Sequence, residues 1–285
     1  VLPLLEFSRS SKDHRVRTTY LQTGTATGRL SSENPNLQNI PTGLGYPEKI
    51  RSAFVPKKDH TLLSLDYSQI ELRVLASVSG DAKMIEAFKN DLDIHKMTAS
   101  QVFNVPIDDV TKEMRSYAKT LNFGVIYGMG PRAFAAATGK TYEEAEGFIE
   151  KYFSDFADVR VWHEQILNKA RQLGYVENEN GRKRWLPNII SPNERLANEA
   201  VRAAMNMPIQ GLAADIIKLA MIKVHKELPE IGLILSVHDE LVFEIPDDML
   251  KETSERIKNI MEGVYKLKVP LRVDMVSGKN WAEIS

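Results

Sequence analysis

An α+β fold, with one antiparallel sheet assembled from distant segments and a large helical insertion between them, is what this sequence predicts. Three observations carry that expectation. Short apolar runs at 62–65, 233–237 and 241–245, with 270–276 as a fourth, read as strands lying far apart in the chain. Residues 111–128, 141–173, 193–227 and 247–265 place apolar residues at helical spacing. No internal repeat or low-complexity linker interrupts the pattern, so the distant strands must meet in one sheet with helices inserted.

The first run, Leu62-Leu63-Ser64-Leu65, reads as a buried strand that delivers Asp66 to its end. An unpaired carboxylate inside the run would cost several kcal/mol to bury. The runs 234–237 and 241–245 read as a hairpin with His238-Asp239 as its two-residue turn. An Asp at such a place is often a solvated turn former. Two aspartates at adjacent strand ends can also hold two divalent cations about 4 Å apart, which stabilises the attacking and leaving oxygens of phosphoryl transfer.

The helix at 111–128 carries Arg115, Lys119, Phe123 and Tyr127 at successive spacings of four, hence on one slowly winding face. Two cations followed by two aromatics suit a ligand charged at one end, such as a nucleoside triphosphate. An ordinary amphipathic helix, with packed aromatics and solvated cations, is the competing reading. Gly124 and Gly128 are poor helix formers and fit a hinge or the close approach of a base. Gly80-Asp81 and the turn-rich stretch at 180–188 look like crossings into and out of the helical insertion. Arg182-Lys183-Arg184 in the second crossing is either solvated surface or a phosphate contact.

The motifs SLDYSQIELRVLA, RSYAKTLNFGVIYGMG and SVHDELVFE, in that order, resemble those of the family A DNA polymerases, the bacterial DNA polymerase I type. TATGRLSSENPNLQNIP, DLDIHKMTAS and AAMNMPIQGLAADIIKLAM are similar to the same family, so the resemblance covers nearly the whole chain. It implies an antiparallel palm sheet at 1–79 and 191–285 and a helical fingers insertion at 80–190. The thumb and exonuclease domains of the family are expected to be absent from this chain.

The resemblance further implies template-directed DNA synthesis from deoxynucleoside triphosphates on primer-template DNA. It implies two Mg²⁺ ions, with Mn²⁺ able to substitute, held by Asp66, Asp239 and the Tyr67 backbone carbonyl, with Glu240 beside them. Arg115 and Lys119 would grip the triphosphate, Phe123 would pack on the sugar, and Tyr127 would stand at the templating position. Gln69 and His95 would belong to the same nucleotide site, and Glu71 would close off the space of a ribose 2′-hydroxyl. Arg29, Asn206, Gln210 and His238 would touch the primer terminus and minor groove, where a donor tests pair shape without reading sequence. For Asn206 and Gln210 a solvent-facing polar stripe is the alternative, and for His95 a packing or capping role. A binding module that does not polymerise and an RNA-making polymerase remain as other functional classes; the intact carboxylates oppose the first and Glu71 the second.

Composition bounds these readings. The 285 residues suffice for two domains or one large core, and with no Cys and no apolar run of membrane length the chain reads as a soluble intracellular protein without disulfides; a cytoplasmic location and a monomeric state are the accompanying expectations. The net charge of −1 is unusual for a DNA binder. Its distribution is uneven: residues 1–60 hold nine Lys or Arg against five acids, and 225–285 hold eight against twelve. The basic end is expected to face the duplex while the acidic end carries the metals.

Overall fold

The computed structural model describes residues 2–285, with side chains from Leu4 onward. In chain order the first half holds α1 (Leu2–Ser10), β1 (Thr19–Leu21), β2 (Ser31–Glu33), α2 (Tyr46–Arg51), β3 (His60–Tyr67), α3 (Ile70–Ser79), α4 (Ala82–Lys89), α5 (Ile94–Phe103), a 3₁₀ turn (Ile107–Asp109), α6 (Lys112–Ile126) and α7 (Pro131–Thr138). The second half holds α8 (Tyr142–Asp155), α9 (Ala157–Leu173), β4 (Tyr175–Glu177), β5 (Lys183–Trp185), α10 (Glu194–Glu227), β6 (Gly232–Val237), β7 (Glu240–Pro246), α11 (Leu250–Glu262) and β8 (Val273–Gly278). They form two compact units: residues up to 68 with 214–265 and 271–285, and residues 69–213 with 266–270. The fold is α+β, as expected.

The first unit contains a four-stranded sheet in the order β6-β7-β3-β8, antiparallel at every pair. β3 is a central strand, buried from Thr61 to Leu65. It outruns the apolar run at 62–65 because both neighbours continue the ladder, from His60 opposite Pro246 to Tyr67 opposite Val273. Asp66 is therefore the penultimate residue of the strand rather than the residue beyond it. The last strand begins at Val273 instead of 270, consistent with Pro270 having no N–H for a ladder. Beneath the sheet Leu62, Val237 and Val242 pack with Leu37, Ile40, Trp281 and Ile284. Trp281 meets Phe54 edge-on at 5.2 Å and carries the Arg51 guanidinium 4.6 Å above its ring.

Several basic residues near the start of the chain have partners within the first unit. Arg15 Nη2 lies 2.5 Å from Glu244 Oε1, with Lys57 Nζ 3.8 Å from the other oxygen. Arg29 pairs with Asp239, and Arg51 is buried with its guanidinium donating to the Ile40 and Pro41 carbonyls. Arg15, Arg29, Arg51 and Lys57 of the first sixty residues are thus engaged within the first unit.

The second unit is helical. The segment 141–173 is two helices, α8 and α9, because Phe156 leaves helical geometry at φ −113°, ψ 64° and caps both. Its fully buried ring packs 4.8 Å from Tyr152. α3, α4 and α5 escape the periodicity reading, although Asp81 and Asp93 are side-chain N-caps of α4 and α5. Gly80-Asp81 is the tight corner between α3 and α4, and residues 178–182 turn the β4–β5 hairpin on which Lys183 lies. α10 runs unbroken for 34 residues despite Pro208, which removes one helical hydrogen bond. A second core joins Ala170, Val176, Leu186 and Ile189 to Ala200, Ala204 and Met207.

His163, on α9, is 6% exposed and its Nε2 finds no partner among the described residues. Burial pushes its pKa down to about 4. Above the ordinary value of 6.5 neither the folded nor the unfolded chain is protonated here. As the pH falls from there toward 4, the unfolded chain takes up a proton that the folded one refuses, so stability drops by up to about 3 kcal/mol. Urea unfolding at pH 7 and pH 4.5 should show this loss, and His163→Leu should reduce it. An unchanged loss in the variant would remove His163 as its cause.

Candidate active site

The first unit gathers carboxylates at one end of its sheet. Asp66 on β3 stands in register between Glu240 on β7 and Asp274 on β8. Asp239 follows His238 in the predicted two-residue turn, with His238 held at φ 53°. The Tyr67 backbone N–H donates to the Asp239 carbonyl at 3.2 Å, fixing the turn against β3. The Tyr67 ring is buried, and its hydroxyl donates to the Met261 carbonyl at 2.7 Å. Arg29 Nη2 reaches Asp239 Oδ1 at 2.9 Å, and the Ser64 hydroxyl donates to Glu240 Oε1 at 2.5 Å.

These charges oppose one another. Desolvation first, then the negative charges of Asp239, Glu240 and Asp274, push the Asp66 pKa up to about 7. Burial raises Glu240 as well, against the Ser64 bond and the positive charge of Arg51. An open cavity of about 750 Å³ borders Asp66, Asp239, Glu240 and Asp274. Its anionic donors are oxygens alone, the chemistry of a hard divalent cation such as Mg²⁺. Among the described residues no three His, Asp or Glu side chains close into a cage.

The second unit presents the cation–aromatic stripe on α6. Arg115 Nε donates to Asp93 Oδ2 at 2.7 Å, while Asp93 caps α5 through the His95 and Lys96 N–H groups. Lys119 is exposed and makes no ion pair among the described residues. Phe123 is half-buried, its ring 5.8 Å from that of His95. Tyr127, 40% exposed, caps α6 and donates its hydroxyl to Glu71 Oε2 at 2.9 Å. Glu71 is buried on α3, whose left-handed N-cap is Gln69 at φ 53°.

The glycines have a local cause. Met129 N–H donates to the Gly124 carbonyl and Gly128 N–H to the Val125 carbonyl, the paired bonds that end a helix through a left-handed residue. Gly128 supplies that residue at φ 63°, and a Cβ there would lie 2.3 Å from Met205 Cε. At Gly128 the left-handed conformation gives a local reason for glycine, while Gly124 contributes its backbone carbonyl to the same helix end.

Asn206 on α10 is 9% exposed, which overturns the solvent-facing stripe for that residue; Gln210 is half-buried. In the first unit Arg29 and His238 border one small cleft with Gln38 and Lys218. The structure thus brings Asp66, Tyr67, Asp239, Glu240, Arg29 and His238 together in one unit. It places Gln69, Glu71, His95, Arg115, Lys119, Phe123, Tyr127, Asn206 and Gln210 in the other. Sequence reading missed Asp274, which was assigned to a strand but becomes a neighbour of Asp66 only through the β3–β8 register. It also missed Ser64 and Asn122, small polar residues inside apolar runs, which is the signal that could have found them.

The family model for DNA polymerase family A matches residues 1–283. The chain is 48% identical to the thermostable DNA polymerase I of Thermus aquaticus over 94% of its own length and 32% of that protein's. It is 46% identical to DNA polymerase I of Bacillus subtilis strain 168, over 98% of this chain and 32% of the relative. The chain therefore spans about a third of the length of these curated relatives. Among solved structures it is similar to the polymerase domain of Pol1 from M. smegmatis in complex with DNA primer-template and dNTP. The TM-score is 0.94 and the identity 41%, over 99% of this chain and 50% of that one.

Proposed function

Because the chain belongs to DNA polymerase family A, we propose that it carries the centre that extends a primer 3′-hydroxyl with deoxynucleoside triphosphates on a template, releasing pyrophosphate. The observation that supports this best is the meeting of Asp66, Asp239, Glu240 and Asp274 around one open cavity, with Asp66 driven up to about 7 by burial and by its neighbours' charge. On this reading residues 1–79 and 191–285 are the palm and 80–190 the fingers.

Asp66, Asp239 and the Tyr67 carbonyl would hold two Mg²⁺ ions, which when bound lower the pKa of the attacking hydroxyl and neutralise the triphosphate. The residues of the chain do the rest. Arg115 and Lys119 draw the phosphates to α6 and offset charge on the departing pyrophosphate. Phe123 offers a flat apolar face to the sugar, with Gln69 and His95 completing the nucleotide contacts and Tyr127 at the templating position. Arg29, Asn206, Gln210 and His238 hold the primer end by groove contacts that do not depend on sequence. A cytoplasmic, monomeric state belongs to the same proposal; no helix among the described residues is long and apolar enough to cross a membrane.

Extension of a labelled DNA hairpin tests it. Deoxynucleotides should be added and ribonucleotides strongly disfavoured. Glu71 lies buried with the Tyr127 hydroxyl on its carboxylate, so Glu71→Ala opens space and releases Tyr127 at once. Ribonucleotide incorporation by that variant should rise about tenfold or more. Hairpin binding without extension would reduce the chain to a binding module, and unchanged sugar selection in Glu71→Ala would remove Glu71 from the sugar site.

A further inference from the structure

α6 carries one buried polar side chain, and the proposed chemistry leaves it unused. Asn122 lies one residue before Phe123 and is fully buried. Its Nδ2 donates to His95 Nδ1 at 2.9 Å, and its Oδ1 accepts from the Thr98 hydroxyl at 3.1 Å. Thr98 is also fully buried and His95 is 3% exposed. The three side chains form a relay between α5 and α6, and at Asn122 and Thr98 it is sealed from water that could otherwise exchange its partners. A ring nitrogen that accepts a hydrogen bond carries no proton, so a neutral imidazole held this way has its proton on Nε2.

Resting on the nucleotide-binding reading of α6, we propose that Asn122 is a positioning residue. It locks His95 in the Nε2–H tautomer, so that α5 offers a nucleoside triphosphate a neutral, directed N–H donor beside the cations of α6. Three features agree. The Phe123 ring, 5.8 Å away, flanks the imidazole and limits its rotation. Burial and then the positive charges of Arg115 and Lys119, against the negative charge of Asp93, hold the ring's pKa down to about 4, so the donor is neutral at working pH. The peptide N–H of His95 is itself tied to Asp93 Oδ1 at 3.0 Å, which fixes the backbone from which the ring projects. A donor with its direction set before the ligand arrives needs no reorganisation to meet developing charge. A protonated imidazole could donate from either nitrogen and would need no such relay.

The 285-residue chain, labelled with ¹⁵N-histidine, tests the tautomer directly. It has six histidines, and the His95 signals are assigned by their loss in His95→Ala. At pH 7.5 the Nδ1 of His95 should show the shift of an unprotonated acceptor and Nε2 that of a protonated donor. A protonated Nδ1, or a mixture of tautomers, overturns the proposal. In Asn122→Asp the carboxylate should draw the proton to Nδ1, and an unchanged spectrum there would mean that Asn122 does not set the tautomer.

Steady-state extension with dGTP supplies the functional arm. His95→Ala and Asn122→Leu should each raise KM for dGTP about tenfold with a smaller change in kcat, and the double variant should match the single ones. Thr98→Val, a gentler break in the same relay, should shift KM the same way and serves if Asn122→Leu fails to fold by circular dichroism. A raised KM in His95→Ala with none in Asn122→Leu overturns the positioning role. An unchanged KM in His95→Ala, with the expected spectrum, instead overturns the nucleotide reading of His95 while the tautomer assignment stands.

Discussion

Asp66→Asn and Asp239→Asn are each expected to lower primer extension about a thousandfold or more while leaving hairpin binding nearly intact. Each change keeps the side chain's shape and takes one carboxylate from the cavity that the two residues share. Neither is needed for packing, since both line the open cavity, Asp66 near the end of β3 and Asp239 at the turn between β6 and β7. Asp274→Asn is the instructive comparison, because Asp274 contributes charge to the same cavity from an exposed position on β8. Its effect should be much smaller. Gel-based single-turnover extension, paired with fluorescence-anisotropy binding, measures both quantities. Extension within tenfold of the parent chain for Asp66→Asn or Asp239→Asn would refute their assignment to the chemical step.

The second large effect belongs to Lys119. It stands exposed on α6 with no ion pair among the described residues, whereas Arg115 is already bonded to Asp93. Lys119→Ala should cost about a hundredfold in kcat/KM for the deoxynucleotide, in the range seen when one donor to developing charge is removed. Lys119→Arg should recover only part, because a planar fork and a compact ammonium address phosphate oxygens differently. Hairpin affinity measured without nucleotide should not follow this loss. Equal weakening of hairpin and nucleotide binding would make Lys119 a general backbone contact instead.

The parts of the fold that were legible in the sequence are those whose pattern is long or whose turn is short. The β6–β7 hairpin was readable because only His238 and Asp239 separate two apolar runs. α10 was readable over its whole 34 residues because its apolar spacing persists through Pro208. α4 and α5 were not, since 8- and 10-residue helices hold too few turns for a period to stand out. Asp81, the cap of α4, is legible only as part of a crossing, and Asp93, the cap of α5, only as part of a motif. The break at Phe156 left no mark, since no Pro or Gly stands there and burial of the aromatic ring sets the bend.

At the candidate site, residue types and motif order pointed to Asp66, Asp239 and the α6 stripe, while register and burial were beyond reach. Only strand pairing sets Asp274 beside Asp66, and only packing closes Asn122 over His95. At Gly128 residue type alone does not reveal the left-handed helix end that the structure shows.

The cluster around Asp66 makes the fold's tolerance of pH two-sided. An acid whose folded pKa is raised to about 7 from 3.8 releases its proton more readily once the chain unfolds. Through this group stability is greatest at low pH and declines as the pH rises through that interval. His163 acts in the opposite sense, its contribution being lost as the pH falls from 6.5 toward 4. These two groups alone give opposed slopes over much the same pH range, one set by a histidine kept dry and the other by carboxylates kept close. Anything that binds the folded carboxylate cluster and not the unfolded chain would lift the alkaline side by mass action and leave the acid side where it is.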